Sequence, residues 1–318
     1  MTMTMARPCN NAGVSPLSHR IIPPPLPAMI DHQQLIDNDS SLTKLCSQLQ
    51  GCAWLAVDTE FERVNTYYPE LCLVQVCGNG IVGLIDALAI TDPEPLYALL
   101  YDPSITKVFH AARQDFEIFF HLKGRLPAPL FDTQIAASLR GYDRHIGYAN
   151  LVKDVLDIAL PKSQSFSDWK RRPLSPEQLH YAADDVIYLG RLYELLLGKL
   201  IESGQLPQLK EQCLALNRPE LYEPDPESMW RKIRIREVNN FSEQSLAVFK
   251  RLAAWRELTA RRENRPRKWI VKDTTLVAIA RELPADRDAL SRLDGINANV
   301  IKRYAGELLK ISTSESDR

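Results

Sequence analysis

Six side chains in three short stretches have the types and spacing to do chemistry together. Asp58 and Glu60 stand two apart in AWLAVDTEF, Asp115 stands in VFHAARQDFEIF, and Tyr181, Asp184 and Asp185 stand in LSPEQLHYAADDVIYL. Carboxylates gathered in one place repel one another unless a cation sits among them. An all-oxygen ligand set selects Mg2+ or Mn2+ over zinc. Two such divalent cations, about 4 Å apart, can activate a water and stabilise the leaving oxygen of a phosphodiester. A tyrosine hydroxyl with an ordinary pKa of about 10 suits orienting that water, or holding the phosphate, better than acting as a base at neutral pH.

Each stretch reads as an element able to deliver its acid. AWLAVDTEF is a buried strand ending in polar residues, and the period of two puts Asp58 and Glu60 on one face. ITKVFHA is another strand, and Asp115 falls in the first turn of the helical run that follows. LSPEQLHYAADDVIYLGRLYELL opens with Ser175 at N-cap, Pro176 at N1 and Gln178 at N3, a capping-box pattern. That helix is expected to run to about Glu202, before Gly204 and Pro207. Tyr181 and Asp185, four apart, share one helix face, and Asp184, three from Tyr181, can share it too. The two adjacent acids lie about 100° apart around the helix, so only one faces a site, and spacing leaves open which.

The surrounding pattern supplies the frame. LCLVQVCGNGIVGLIDA reads as two strands around Asn79-Gly80, a hairpin signal because both turn positions tolerate positive φ. SSLTKLCSQLQ, PEPLYALL, RQDFEIFFHL, DTQIAASLR and NLVKDVLDI carry helical spacing. A hairpin-rich start followed by alternating strands and helices predicts an α/β fold, a mixed sheet with flanking helices.

Plainer roles stand beside the chemical ones. Acids are common at solvated strand ends, and a helix N-terminus stabilises a carboxylate such as Asp115 without any function. Asp132 precedes a helical run and reads as an N-cap before it reads as a metal ligand. His110, at a strand end, reads as a packed structural histidine. Phe61, Tyr67 and Tyr68 could stack on bases or simply pack. Lys162, Lys170, Arg171 and Arg172 surround Trp169 in the loop before the long helix, where they could hold backbone phosphates or be solvated. Arg267 and Lys268 flank Trp269 in a mixture typical of nucleic-acid surfaces, or of a charged helix end.

Bulk properties narrow the class. The 318 residues are 45% hydrophobic and 25% charged with a formal net charge of -1, a globular profile with room for two domains. Charge is unevenly placed: Trp230 to Lys272 holds thirteen Lys/Arg against four Glu, and local excess governs nucleic-acid contact. The six cysteines, at 9, 46, 52, 72, 77 and 213, show no C-x-x-C spacing. Buried free thiols in a reducing cytoplasm are expected, with neither disulfides nor structural zinc. Residues 1–29 cluster prolines without a continuous apolar segment and are expected to be a disordered lead with no secretory signal. No run is long enough to span a membrane, and no protein partner is indicated.

The ordered pattern D-x-E, later Asp, then Y-x-x-x-D resembles the DEDD exonuclease superfamily, and the tyrosine marks its DEDDy branch. Within that branch LAVDTEFERVNTYYPELCLVQV, PSITKVFHAARQDFEIF, LFDTQIAASL and KSQSFSDWKRRPLSPEQLHYAADDVIYL are similar, in order, to the ribonuclease D family over roughly Ile30 to Leu209. The resemblance implies a ribonuclease H-like nuclease domain over 30–210. It also implies that Asp58, Glu60, Asp115 and Asp185 hold two divalent cations, Mg2+ or Mn2+, and that Tyr181 positions the attacking water. It selects Asp185, the fourth residue after the tyrosine, and leaves Asp184 peripheral. LAAWRELTARRENRPRKWIVKDTTLVAIARELP and LSRLDGINANVIKRYAGELLKI resemble an HRDC domain, placed at 239–318 as a small all-α unit after a linker at 211–238. Many members of the family carry a second such domain, and this chain stops soon after the first.

The implied activity is metal-dependent 3′-5′ exoribonuclease action in the cytoplasm on RNA with a free 3′ end, tRNA precursors above all, releasing 5′-nucleotides. Phe61, Lys162, Trp169, Arg267 and Lys268 are the expected RNA contacts. Two alternatives remain open: a DNA-directed 3′-5′ exonuclease, since proofreading domains use the same residues, and a catalytically silent RNA-binding module.

Overall fold

The computed structural model describes residues 35–161, 164 and 167–313. The expected lead at 1–29 and Lys162 lie outside them. The elements follow in order: β1 (Leu35–Ile36), α1 (Asp39–Leu49), β2 (Trp54–Glu62), β3 (Glu70–Gly78), β4 (Ile81–Asp86), α2 (Glu94–Leu100), β5 (Thr106–Phe109), α3 (Arg113–Lys123), β6 (Leu130–Asp132), α4 (Thr133–Leu139), α5 (Tyr148–Leu156), α6 (Pro176–Glu202) and α7 (Leu206–Leu216). Three 3-10 segments then lead to α8 (Glu243–Arg262), α9 (Arg267–Ile270), α10 (Asp273–Glu282), α11 (Arg287–Ser291) and α12 (Ala298–Thr313).

Six strands form one sheet in the order β1-β4-β3-β2-β5-β6. The β2–β3 and β3–β4 pairs are antiparallel, while β1–β4, β2–β5 and β5–β6 are parallel. The β3–β4 turn sits at Asn79 (φ 50°) and Gly80 (φ 76°), as the asparagine-glycine pair predicts. Alternation along β2 divides its side chains between two cores. Leu55 and Val57 pack with Leu42, Leu49, Leu99, Phe116 and Phe119 from α1, α2 and α3. Ala56 faces the other way, toward Val186, Leu189 and Leu192 of α6.

α6 is the long helix of the layer. Ser175 and Gln178 form the expected capping box, and the helix ends at Glu202. Small residues let it approach the sheet closely: Ala182 and Ala183 are fully buried, and a Cβ on Gly190 would come within 2.5 Å of the Trp54 ring. The proline-rich stretch after α7 is packed at both ends. Tyr222 packs on the α3 side, after Cys213 of α7 in the core under α6. Trp230, Ile233, Ile235 and Val238 pack on the C-terminal helical core of Phe249, Leu252, Leu276, Ile279 and Leu308.

The helical unit grips the loop between β2 and β3. Asn264 accepts hydrogen bonds from the backbone N–H of Tyr67 and of Tyr68, each at 3.0 Å. The Tyr67 hydroxyl donates to Glu257 and accepts from Arg261 at 3.2 Å and Arg267 at 3.0 Å. Tyr68 stacks on His121 of α3. Among the described residues no helix is long and apolar enough to cross a membrane.

Candidate active site

The strand-end acids converge with α6 as the periodicities require. Asp58, Glu60 and Asp185 each offer a carboxylate oxygen, and these oxygens lie within 4.8 Å of one another. Asp58 and Glu60 emerge on the α6 face of β2, next to a bulge where the β3 register steps from Leu73 to Leu71. Bulges of this kind re-aim side chains at sheet edges and sites.

Asp115 arrives from the opposite face. Thr59, between the two acids, follows the alternation of Leu55 and Val57 toward α3, and its hydroxyl donates to Asp115 at 2.6 Å. Asp115 also interacts electrostatically with Asp58, but it lies outside the 4.8 Å group. The turn that launches α3 is fixed by Asp132. Its buried carboxylate accepts from the N–H of Ala111 (3.2 Å) and Ala112 (2.9 Å), and caps α4 through Gln134 (2.8 Å) and Ile135 (3.2 Å). Ala111 itself sits at φ 56°, a conformation L residues rarely adopt. The N-cap reading of Asp132 therefore holds.

The two adjacent acids of α6 part company. Asp184 is directed to His180, with 3.5 Å between its oxygen and Nε2. Asp185 joins the strand acids and is hydrogen-bonded to Tyr181. Tyr148 braces this part of the helix by donating to the backbone carbonyls of Asp185 (2.6 Å) and Asp184 (3.2 Å). His110 holds the segment leading to Tyr148, its Nε2 lying 3.1 Å from the Ile146 carbonyl and its Nδ1 3.0 Å from the Thr133 hydroxyl. Burial holds the His110 imidazole below its ordinary pKa, in keeping with a neutral structural ring. Asp58, His110, Tyr148, Tyr181, Asp185 and Leu189 line a cavity of 130 Å³. A larger one of 290 Å³ shares Tyr148, Tyr181 and Asp185 and extends to Asn150 and Pro161.

Electrostatics tests whether a cation fits. Burial first, then Asp58, Asp185 and Asp115, push Glu60 up to about 10. Burial pushes Asp58 up to about 6. Asp115 and Asp185 are also raised well above the usual carboxylate range, by burial and then by Asp58. Among the described residues no basic side chain contributes to any of these four shifts. A set of oxygen donors this close, this buried and this uncompensated matches a hard divalent cation, which would favour the ionised forms.

The expected RNA contacts scatter. Phe61 is partly exposed at the end of β2, beside the acids. Trp169 is 1% exposed and packs 6.1 Å, ring to ring, from Tyr181, so it buttresses the tyrosine from inside. Lys170 pairs with Glu70, Arg172 makes a bidentate pair with Asp86 at 2.6 Å, and Arg171 is exposed. The Arg267 guanidinium is occupied by Glu257 and Tyr67, whereas the Lys268 side chain is 76% exposed. Thr59, Tyr148 and the inward role of Trp169 escaped sequence reasoning. Only Thr59 left a signal, as the small polar residue inside D-x-E.

The chain is similar to known proteins over most of its length. A 3′-5′ exonuclease family model matches residues 33–201, and an HRDC domain model matches residues 245–311. The chain is 44% identical over 273 residues to ribonuclease D of Gluconacetobacter diazotrophicus, covering 86% of this chain and 69% of that protein. It is 43% identical over 276 residues to ribonuclease D of Acidiphilium cryptum, covering 86% and 70%. The crystal structure of Escherichia coli RNase D, an exoribonuclease involved in structured RNA processing, superposes with a TM-score of 0.80 at 36% identity, covering 88% of this chain and 74% of that one.

Proposed function

Since the chain belongs to the ribonuclease D family and is a 3′-5′ exoribonuclease, we propose that it trims the 3′ ends of tRNA precursors and other small structured RNAs in the cytoplasm, one 5′-nucleotide at a time. Asp58, Glu60, Asp115 and Asp185 hold two divalent cations, Mg2+ or Mn2+. When bound, these supply Lewis-acid stabilisation of the phosphodiester and a nucleophile at neutral pH.

The chain's own residues do the rest. Asp185 holds the Tyr181 hydroxyl by a hydrogen bond, and that hydroxyl orients the water opposite the departing 3′ oxygen. Tyr148 and Trp169 keep α6 and the Tyr181 ring in place, and Thr59 keeps Asp115 turned inward. The terminal nucleotide enters the cavity shared by Tyr148, Tyr181 and Asp185. Phe61 stacks on its base, and the exposed Lys268 draws the upstream backbone toward the helical unit.

The observation that carries this reading is the uncompensated carboxylate group beside a tyrosine and a cavity. The five cysteines among the described residues are buried and free, which fits a reducing compartment. The test is turnover of a 3′-extended tRNA, an unstructured RNA and a matched DNA, each with Mg2+ or Mn2+. Faster trimming of the tRNA to single 5′-nucleotides is expected. A preference for DNA overturns the assignment, and equal rates on both RNAs overturn the tRNA part of it.

A further inference from the structure

Gln75 lies in the middle of β3 with no exposed surface, and neither side-chain polar atom has a hydrogen-bond partner. Burying an amide in that state opposes folding, because both groups give up water without a replacement. An apolar residue of similar volume would pack there without that cost, so the amide calls for a reason of its own.

Its place in the sheet supplies one. In the β2–β3 ladder Gln75 stands directly opposite Asp58, and on its other side it is opposite Leu84. Directly opposed residues project on the same face, with Cβ atoms about 4.5–5.5 Å apart. That face is the one α6 covers. Leu73 and Cys77, two positions either side of Gln75, belong to the cores built on Ala182, Ala183 and Val186. Asp58 for its part takes a hydrogen bond from the Thr59 backbone and has no side-chain donor among the described residues. A donor without an acceptor and an acceptor short of a donor thus occupy neighbouring positions under one helix.

We propose that Gln75 is a positioning residue for Asp58: its amide N–H donates to the Asp58 carboxylate when that group is charged against a divalent cation, and so holds it in one orientation. The proposal rests on the reading of Asp58 as a cation ligand. Gln75 touches neither substrate nor cation, and it acts only through Asp58.

The role separates stability from function, because the amide opposes folding and serves the site. Gln75→Met and Gln75→Leu remove the amide with two different apolar shapes. For at least one of them the metal-free protein should melt no lower than the parent, or higher by about 2–4 °C. In both, Mn2+ affinity measured by calorimetry should fall about 10–100-fold, the loss typical of removing the partner that orients a ligand. The kcat should fall while KM for a short oligoribonucleotide stays put. Lower melting of both metal-free variants would show the amide to be structural and overturn the proposal. So would unchanged Mn2+ affinity. Asp58→Asn, measured in parallel, separates the two levels. If it cripples Mn2+ binding while the Gln75 variants do not, only the Gln75 role is overturned. If it leaves Mn2+ binding intact, the cation-ligand reading fails and the Gln75 role with it.

Discussion

Two buried clusters lie at opposite ends of one short stretch, and they treat charge in opposite ways. At Glu60 the chain gathers carboxylates with no basic partner among the described residues, and burial with mutual repulsion drives Glu60 up to about 10. Seven residues on, Tyr67 enters a cluster in which Glu257 is hidden from water. Burial there also works against the charge, yet Arg267, Tyr67 and Arg261 hold the Glu257 carboxyl below its ordinary value. The second cluster is complete within the chain and serves as a structural joint. The first lacks positive charge and becomes whole only with a cation from outside. A buried acid is thus read by its partners, and depth alone does not distinguish a joint from a site.

Substitutions can break or sharpen that contrast. The largest effect is expected from Asp185→Asn: cleavage should fall by about 10³-fold or more, since several kcal/mol of transition-state stabilisation is lost. RNA binding should persist, and the metal-free protein should be no less stable. Single-turnover cleavage, filter binding and thermal melting read the three. Glu257→Gln should do the reverse. It strands two arginines and should cost about 3–5 kcal/mol in urea unfolding, with no loss of Mn2+ affinity. Comparable instability for both variants would dissolve the distinction between the clusters.

Tyr181→Phe comes next, with kcat down about 10²-fold and folding unchanged; unaltered turnover would remove the hydroxyl from the mechanism. Proton linkage is subtler. Burial and the neighbouring carboxylates raise Glu60 from 4.5 to about 10 in the metal-free fold, so across that window the folded protein holds the extra proton. Stability of the metal-free protein should therefore decline as pH rises through the window. Mn2+ should oppose the decline and should release protons on binding at pH 7.5, which calorimetry in buffers of different ionisation enthalpy detects. The smallest effect is expected from Asp184→Asn, whose carboxylate faces His180: activity should stay within a few-fold of the parent, and a loss matching Asp185→Asn would reverse the face assignment.

Much of this was legible because it is local. Period two joins Asp58 to Glu60, a four-residue step joins Tyr181 to Asp185, and Ser175 with Gln178 marks where α6 starts. The asparagine-glycine turn likewise fixes the β3–β4 hairpin. What stayed hidden depends on contacts between distant segments. Tyr67 and Glu257 are 190 positions apart, and no periodicity links them, so the sequence leaves Tyr67 open between base stacking and packing and reads Arg267 as an RNA contact. Trp169 in a basic loop suggests a surface, but the small residues of α6 and the sheet edge make room for it inside. Gln75 was visible as the one polar residue in LCLVQVC. Its meaning required the strand register, which sets it against Asp58.

The grip of the helical unit on the β2–β3 loop has a practical corollary for anyone dividing this molecule. A fragment ended at residue 210, where motif boundaries invite a cut, would part Tyr67 from Glu257, Arg261, Arg267 and Asn264. It would also strip Tyr222 from Phe116 and Phe120, baring aromatic surface on the α3 side. Such a piece is expected to be sticky and poorly expressed even with all five proposed catalytic residues in place. Shuffling the nuclease onto another partner would need a replacement socket for that tyrosine.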